Sequence, residues 1–206
     1  MPRKTFHDES RELARRDAVI RALHAKHGPC VLGRTAKRDH FASLARAIVF
    51  QQLAGKAAES IHKRFVAALD DEVTAERVLA TKEPVLRAAG LSGSKAASIR
   101  DLAHKATDGT LEFRAMSRMK DDAIVERLVE VRGIGPWTAH MFLMFELHRK
   151  DVWPTGDYGV RKGYGLAWKL REMPTPKQLE ALGESFRPYR SIAAWYCWRA
   201  TEDPGW

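Results

Sequence analysis

The sequence predicts an all-α, two-lobed protein of about ten short helices, with little or no sheet. Apolar residues recur every three or four positions along most of the chain, which is the spacing of one helix face. Few segments alternate apolar and polar side chains over several residues, as half-buried strands do. Glycine, proline and short polar residues interrupt the helical pattern at intervals that suit short helices.

The first third of the chain predicts helices with clear breaks between them. A helix over residues 8–27 stops at Gly28, which a proline follows. Asp39 suits the N-cap of the next helix, where DHFASLARAIVFQQL places apolar side chains at helical spacing. A turn near Gly55 separates this helix from another that ends near residue 69.

The middle of the chain predicts shorter helices. Thr74 suits an N-cap, Pro84 fits the first turn of a following helix, and Gly90 ends that helix. The segment GLSGSKAASIRDLAHKA then opens with a Gly-Ser turn and continues as a helix, which Asp108-Gly109 breaks.

The last third predicts a helix over residues 121–131, a tight turn, and a new helix that begins at Pro136. A polar loop follows and leads to Asp157. After this acid, the pattern predicts helices to about residue 170, over 177–186, and over 188–200.

Net charge is the least ordinary property of the composition. The 206 residues include 35 Lys and Arg against 26 Asp and Glu, a formal net charge of +9. This excess favours a polyanionic partner, although a basic protein with no such partner would show it too. Two cysteines are too few for a four-cysteine zinc or iron–sulfur site and predict a reducing compartment. Neither a signal peptide nor a membrane span is expected from the apolar runs.

The stretch VRGIGPWTA, residues 131–139, predicts an anion-binding turn between two helices. Its glycines allow a tight turn and the close approach of a ligand, and Pro136 fits a first helical turn, where no amide donor is needed. The amide groups of such a turn carry the positive end of the helix dipole. A Gly-x-Gly by itself also suits an ordinary helix–turn–helix joint.

The longer string LVEVRGIGPWTA, followed by Asp157, resembles the helix–hairpin–helix DNA glycosylases, and most closely their 3-methyladenine DNA glycosylase II branch. The similarity runs from about Ala42 to Trp198 and includes ARAIVFQQLAGKAA, GLSGSKAASIRDLA, DVWPTGDYGVRKG and FRPYRSIAAWYCWR. It implies a single glycosylase unit over residues 1–206. We expect a middle lobe at roughly 36–145 that holds the hairpin at 126–145, and a terminal lobe of 1–35 with 146–206. The type enzyme of the branch also has an N-terminal sheet domain, which we do not expect here.

Asp157 is the predicted catalytic residue. It directly precedes a helical run, where the helix N-terminus favours an ionised carboxylate. The plain alternative is an aspartate that only caps the helix. The resemblance implies that this carboxylate stabilises positive charge on the deoxyribose as the glycosidic bond breaks, and that it can also orient the attacking water.

The resemblance also implies a base pocket and a monofunctional reaction. Bifunctional members carry a lysine nucleophile at the position of Trp137, and an indole cannot attack the sugar. An electron-rich pocket would stack on an extruded, cationic alkylated base, although some of its aromatic residues could instead be core. The expected pocket residues are Trp137, Trp198, Met141, Tyr158 and Trp153. Met141 stands where the type enzyme has a further aromatic residue.

Two kinds of DNA contact are expected, together with a cation site at the hairpin. Gln52, or else Leu53, would fill the space that the extruded base leaves. The expected backbone contacts are Arg132, Gly133, Ile134, Gly135 and Thr138 in the hairpin, Gly93, Ser94 and Lys95 at a second glycine turn, and Arg161 and Lys162 after the acid. Singly, each basic residue could equally be solvated surface. Family hairpins often bind Na⁺ or K⁺ through backbone carbonyls, here those near Val129, Val131 and Gly133.

The resemblance therefore predicts a monofunctional glycosylase that removes alkylated purines, first 3-methyladenine and 7-methylguanine, in base excision repair. It would act as a monomer on double-stranded DNA, without a required cofactor or a membrane. A bacterial protein would be cytoplasmic and nucleoid-associated, a eukaryotic one nuclear. The alternatives are a glycosylase for mismatched, oxidised or deaminated bases, and a DNA-binding hairpin module without catalysis.

Overall fold

The computed structural model describes residues 6–32 and 39–202, which contain thirteen α-helices, a short 3-10 helix and no strand. One isolated antiparallel bridge pairs Phe6 with Cys30. The predicted all-α fold class is confirmed. In chain order the α-helices are α1 (His7–Arg16), α2 (Ala18–His27), α3 (His40–Phe50), α4 (Gly55–Ala67), α5 (Ala75–Ala80), α6 (Glu83–Ala88), α7 (Gly93–Thr107), α8 (Phe113–Met116), α9 (Asp121–Val129), α10 (Pro136–Phe145), α11 (Tyr158–Ala167), α12 (Pro176–Gly183) and α13 (Arg190–Thr201), with the 3-10 helix at Glu184–Phe186.

The described residues divide into two compact units. The middle unit comprises residues 39–142, and the terminal unit comprises 6–32 with 143–202. The division after residue 142 falls inside α10. The lobe boundary expected near residue 36 lies outside the residues that the structure describes.

Helix α7 organises the middle unit, because α3, α5 and α6 all pack against it. Its Ile99 and Leu102 are fully buried in this core. The side chains of Asp39 and Thr74 cap α3 and α5 as expected, since each accepts a hydrogen bond from an amide three residues ahead. Ser92 caps α7 in the same way.

Helix α13 is the centre of the terminal unit. Residues 190–197 are all buried, and α1, α2 and α11 pack around them. Gly163 brings α11 against α13, because a Cβ at this position would overlap the backbone carbonyl of Cys197. No helix within 6–32 or 39–202 is long and apolar enough to cross a membrane.

The single helix expected over residues 8–27 is in fact α1 and α2, separated at Asp17. The backbone of Asp17 is extended, with φ −131° and ψ 127°, and its carboxylate accepts a hydrogen bond from the Ile20 amide at 2.8 Å. This bond between the aspartate and the backbone replaces a helical hydrogen bond, so one helix ends at Asp17 and a new one begins after it. The helical spacing of apolar residues continues across this break, which is why the sequence predicted a single helix.

Candidate active site

Asp157 is the N-cap of α11 and is 8% exposed. Its Oδ1 atom accepts hydrogen bonds from the Val160 amide at 2.7 Å and from the indole nitrogen of Trp198 at 2.9 Å. The first bond is that of an ordinary helix cap, but the second comes from a side chain 41 positions away in sequence. Two donors on one oxygen fix the plane of the carboxylate and the direction of its other oxygen.

The loop that carries Asp157 is fastened to α13. The Ser191 hydroxyl accepts from the Val152 amide at 2.9 Å and donates to the Val152 carbonyl at 3.3 Å. The Arg190 guanidinium pairs with the Asp151 carboxylate at 2.9 Å, and the Asp157 amide donates to the Pro154 carbonyl. These bonds place the acid reproducibly, which a catalytic group needs.

Trp198 has two fixed contacts in the terminal unit. Its ring stacks on Phe145, with ring centroids 5.9 Å apart and planes 20° apart, while its N–H holds Asp157. Gly159 makes room for it, because a Cβ there would lie 2.8 Å from Cδ1 of the indole. We missed Phe145 in the sequence, although it follows Met141 by one helical turn and that spacing could have selected it.

Trp153 does not line a pocket, which corrects our expectation. It is 5% exposed, its indole N–H donates to the Leu179 carbonyl at 2.8 Å, and its ring packs against Tyr164 and Phe186. A Cβ on Gly183 would overlap this indole. Trp153 is therefore a core residue with a satisfied N–H.

The other aromatic candidates are accessible. Trp137 is 50% exposed in the middle unit, and Tyr158 is 64% exposed in the terminal unit. Met141 is partly exposed. Accessible rings can stack on a nucleotide, which a buried ring cannot do.

Arg161 has a structural partner, since its Nε donates to the Pro174 carbonyl at 2.7 Å. This bond connects α11 to the segment before α12 and uses one of the five guanidinium donors, so a phosphate contact by Arg161 stays a prediction. Lys162 is exposed on α11 and keeps its place as a candidate phosphate contact.

The hairpin between α9 and α10 is set by Gly133, whose φ is +78°. A Cβ on this glycine would lie 2.7 Å from the buried Ser98 hydroxyl, so only glycine suits both the turn and the contact. Among the residues described, the amide groups of Gly133 and Gly135 have no hydrogen-bond partner. Both amides can therefore donate to an anion at the hairpin.

Three other hairpin candidates have internal roles. The Ile134 side chain is buried and its amide donates to the Val131 carbonyl, while Thr138 is also buried. The Arg132 amide donates to Oδ2 of Asp101 at 2.8 Å, so only its exposed side chain is available to phosphate. The amides of Ile134 and Arg132 are therefore used within the protein, and the buried side chains of Ile134 and Thr138 help to shape the hairpin.

Asp101 anchors the hairpin as a charged group. Burial raises its pKa, but the hydrogen bond from the Arg132 amide and the ammonium of Lys105, 3.0 Å away, outweigh burial and hold the pKa below its ordinary value.

The predicted intercalating turn lies between α3 and α4. Gln52 is exposed, and its φ of +55° is a left-handed backbone conformation that residues other than glycine adopt rarely. Leu53 is 38% exposed. The ammonium of Lys95 donates to the carbonyls of Val49 and Gln51, each at 2.8 Å. Lys95 therefore caps the end of α3, which corrects its assignment as a phosphate contact. Partial burial lowers its pKa.

Gly93 and Ser94 lie in the first turn of α7, where Ser94 is exposed and Gly93 is partly exposed. Both stay candidate phosphate contacts.

Two of the three carbonyls expected to bind a cation already accept a hydrogen bond within the protein. The Val131 carbonyl accepts from the Ile134 amide, and the Gly133 carbonyl accepts from the side chain of Gln51. Each carbonyl oxygen has a second lone pair, so the cation stays a prediction. Within the described ranges, no three His, Cys, Asp or Glu residues form a group that could hold a metal.

An all-helical chain with a Gly-x-Gly hairpin and an aspartate at a later helix N-terminus has the features of a helix–hairpin–helix repair protein. The chain belongs to the HhH-GPD superfamily of base excision DNA repair proteins, which it matches over residues 45–188.

Similar proteins agree with this family. DNA-3-methyladenine glycosylase 1 of Schizosaccharomyces pombe is 32% identical over 169 residues, which cover 81% of this chain and 74% of that protein. The S. pombe 3-methyladenine DNA glycosylase Mag1, solved in complex with abasic DNA, superposes with a TM-score of 0.79 at 28% identity, covering 97% of this chain and 98% of that one. A Bacillus halodurans DNA-3-methyladenine glycosidase gives 0.88 at 30% identity, covering 97% and 92%.

Proposed function

We propose that the protein is a monofunctional DNA glycosylase that hydrolyses the N-glycosidic bond of alkylated purines, with 3-methyladenine and 7-methylguanine as its first substrates. The observation that carries the proposal is the carboxylate of Asp157, fixed at the start of α11 by Val160 and Trp198. The names of its relatives support the class of lesion.

A cationic alkylated base is a good leaving group, because it departs as a neutral molecule without prior protonation. The enzyme must then stabilise the positive charge that develops on the deoxyribose. Asp157 is suited to this task, since its carboxylate needs little reorganisation when the charge forms. Water completes the reaction at the anomeric carbon and leaves an abasic site.

Trp137 supports hydrolysis by water rather than by an amine nucleophile. It is the second residue of α10, directly after Pro136, at the position where bifunctional members of the family carry lysine. Its accessible indole can stack on a base but cannot form a Schiff base with the sugar. The expected product therefore has an intact strand.

Double-stranded DNA with an alkylated base is the proposed ligand, bound by a monomer. The amides of Gly133 and Gly135 would hold a phosphate at the hairpin, with Lys162 as a further contact. Gln52, at the exposed tip of its turn, would fill the space left by the extruded base. Such extrusion is required because the bond to be broken is inaccessible inside the base stack.

The test compares the parent with Asp157→Asn on duplex DNA containing one 7-methylguanine. Asparagine is an equally good N-cap and can accept the same two hydrogen bonds, so the variant should keep its fold and DNA affinity. Loss of the negative charge should lower the rate of base release by at least about a hundredfold. Base release is measured by chromatography, and binding by fluorescence anisotropy.

Base release by the parent, little release by the variant, and no strand cleavage without added base support the proposal. DNA binding with no release from any alkylated duplex would favour a non-catalytic module and refute it. Cleavage of mismatched or oxidised duplexes in preference to alkylated ones would move the protein to the alternative glycosylase class. Prompt strand cleavage would contradict the argument from Trp137.

A further inference from the structure

One face of α7 contacts both the intercalating turn and the hairpin. Lys95, Ser98 and Asp101 are spaced three residues apart, so their side chains form a stripe along the helix. Lys95 bonds to the end of α3, Ser98 lies against Gly133, and Asp101 accepts from Arg132. A single rigid helix thus contacts, in order, the two elements that the proposed function assigns to DNA.

The turn at Gln51 and Gln52 needs such support. Gln51 has φ −53° and ψ 134°, Gln52 has φ +55°, and the Leu53 amide donates to the Phe50 carbonyl at 3.4 Å. This is the geometry of a type II turn, whose third position favours glycine. A non-glycine residue held there is strained, and it persists because its surroundings determine the backbone.

Two side chains supply this support. The ammonium of Lys95 binds the carbonyls on both sides of Phe50, those of Val49 and Gln51, and so fixes the direction in which α3 ends. The side-chain amide of Gln51 donates to the Gly133 carbonyl at 2.8 Å, which connects the turn directly to the hairpin. This hydrogen bond joins two residues that are 82 positions apart in sequence.

We propose that Lys95 and Gln51 are positioning residues, which hold the Gln52 turn at a fixed distance from the hairpin so that the turn enters the base stack where the hairpin grips the backbone. The inference rests on the proposed function for its reaction. Neither residue is assigned a contact with the reacting atoms. Their effect should appear in extrusion of the base, because a misplaced side chain cannot fill the gap.

The experiment measures single-turnover release of 7-methylguanine from two duplexes. In one duplex the lesion pairs with cytosine, and in the other it faces an abasic-site analogue, so that extrusion needs little help. Lys95→Met and Gln51→Met should lose roughly tenfold to a hundredfold in rate on the paired lesion, and less than about threefold on the unpaired one. Lys95→Arg should retain most of the parent rate, because arginine can reach the same carbonyls.

Lys63→Met is the matched control, since it removes one positive charge from an exposed position on α4. It should stay within about twofold of the parent on both duplexes. Thermal unfolding of every variant confirms that the assay temperature lies well below each melting point. Equal losses on the two duplexes, or no loss on the paired one, would overturn the inference.

A second measurement does not depend on catalysis. A duplex with 2-aminopurine next to an abasic-site analogue should change its fluorescence when the parent inserts the turn. Lys95→Met should bind this duplex with a much smaller change, and an unchanged signal would again overturn the inference. Inactivity of the parent on alkylated DNA would instead refute the proposed function, so the two failures are distinguishable.

Discussion

The indole N–H of Trp198 gives the sharpest prediction about catalysis. Trp198→Phe removes the donor to Asp157 while keeping a ring that can stack on Phe145. A hydrogen bond to a charged group contributes about 1.5–3 kcal/mol. If most of that energy holds the carboxylate in its reactive position, base release should slow roughly tenfold to a hundredfold.

Trp153→Phe is the matched control, because it also removes an indole N–H with a well-defined partner. This N–H bonds to the Leu179 carbonyl inside the core, so its loss should cost stability rather than activity. The lost bond and the cavity together should cost about 2–4 kcal/mol of unfolding free energy, or roughly 5–15 °C in melting temperature.

The assay is single-turnover release of 7-methylguanine at a temperature where both variants are folded, alongside thermal unfolding by circular dichroism. Trp198→Phe should be slow even at a temperature where it is fully folded, whereas Trp153→Phe should be fast despite its lowered melting point. A Trp198→Phe variant as fast as the parent would refute the idea that this bond positions the acid. Equal rate losses in both variants would show that the slower base release comes from reduced stability of the fold and not from the bond to Asp157.

Three further predictions concern stability and the turn. Gly163→Ala should lower the melting temperature by about 6 °C or more in thermal unfolding, because the new Cβ overlaps the carbonyl of Cys197. Gln52→Gly should relieve the left-handed strain and leave unfolding free energy within about 1 kcal/mol of the parent, while lowering base release from paired lesions as much as Gln52→Ala does. Asp101→Asn should cost about 1 kcal/mol of stability at pH 7 in chemical denaturation. Since the folded pKa of Asp101 is lowered, that cost should be present above about pH 4 and disappear as pH falls through the folded pKa.

Each of these predictions has a definite contrary result. Gly156→Ala is the control for the glycine, because a Cβ there meets nothing within 4 Å, and equal melting points for the two variants would contradict the packing argument. A Gln52→Gly variant that excises paired lesions at the parent rate would transfer the intercalating role to Leu53. If the stability lost in Asp101→Asn increased below pH 4, the folded state would have to raise the pKa of Asp101, which contradicts the prediction.

The sequence by itself determined the features that depend on neighbours along the chain. Helix caps at Asp39 and Thr74, the helix that begins at Pro136, and the glycine turn before it follow from local backbone chemistry, which is why they could be predicted. The aspartate at a helix N-terminus was also predictable from the sequence. Its selection as the catalytic candidate rested on a family resemblance, because an ordinary cap has the same local pattern.

Only the tertiary structure decided which polar and aromatic side chains are committed to internal contacts. Trp153 was expected in the base pocket, but its indole N–H donates to the Leu179 carbonyl inside the core. Arg161 was expected near a phosphate, and no pattern in the sequence indicated its bond to the Pro174 carbonyl. Lys95 was expected to contact a phosphate, but its ammonium donates to two carbonyls at the end of α3 instead. Partners tens of positions away leave no trace in helical periodicity, which records only the face that each helix buries. The same long-range bonding gives Asp157 its second donor, Trp198, and so distinguishes it from an ordinary helix cap.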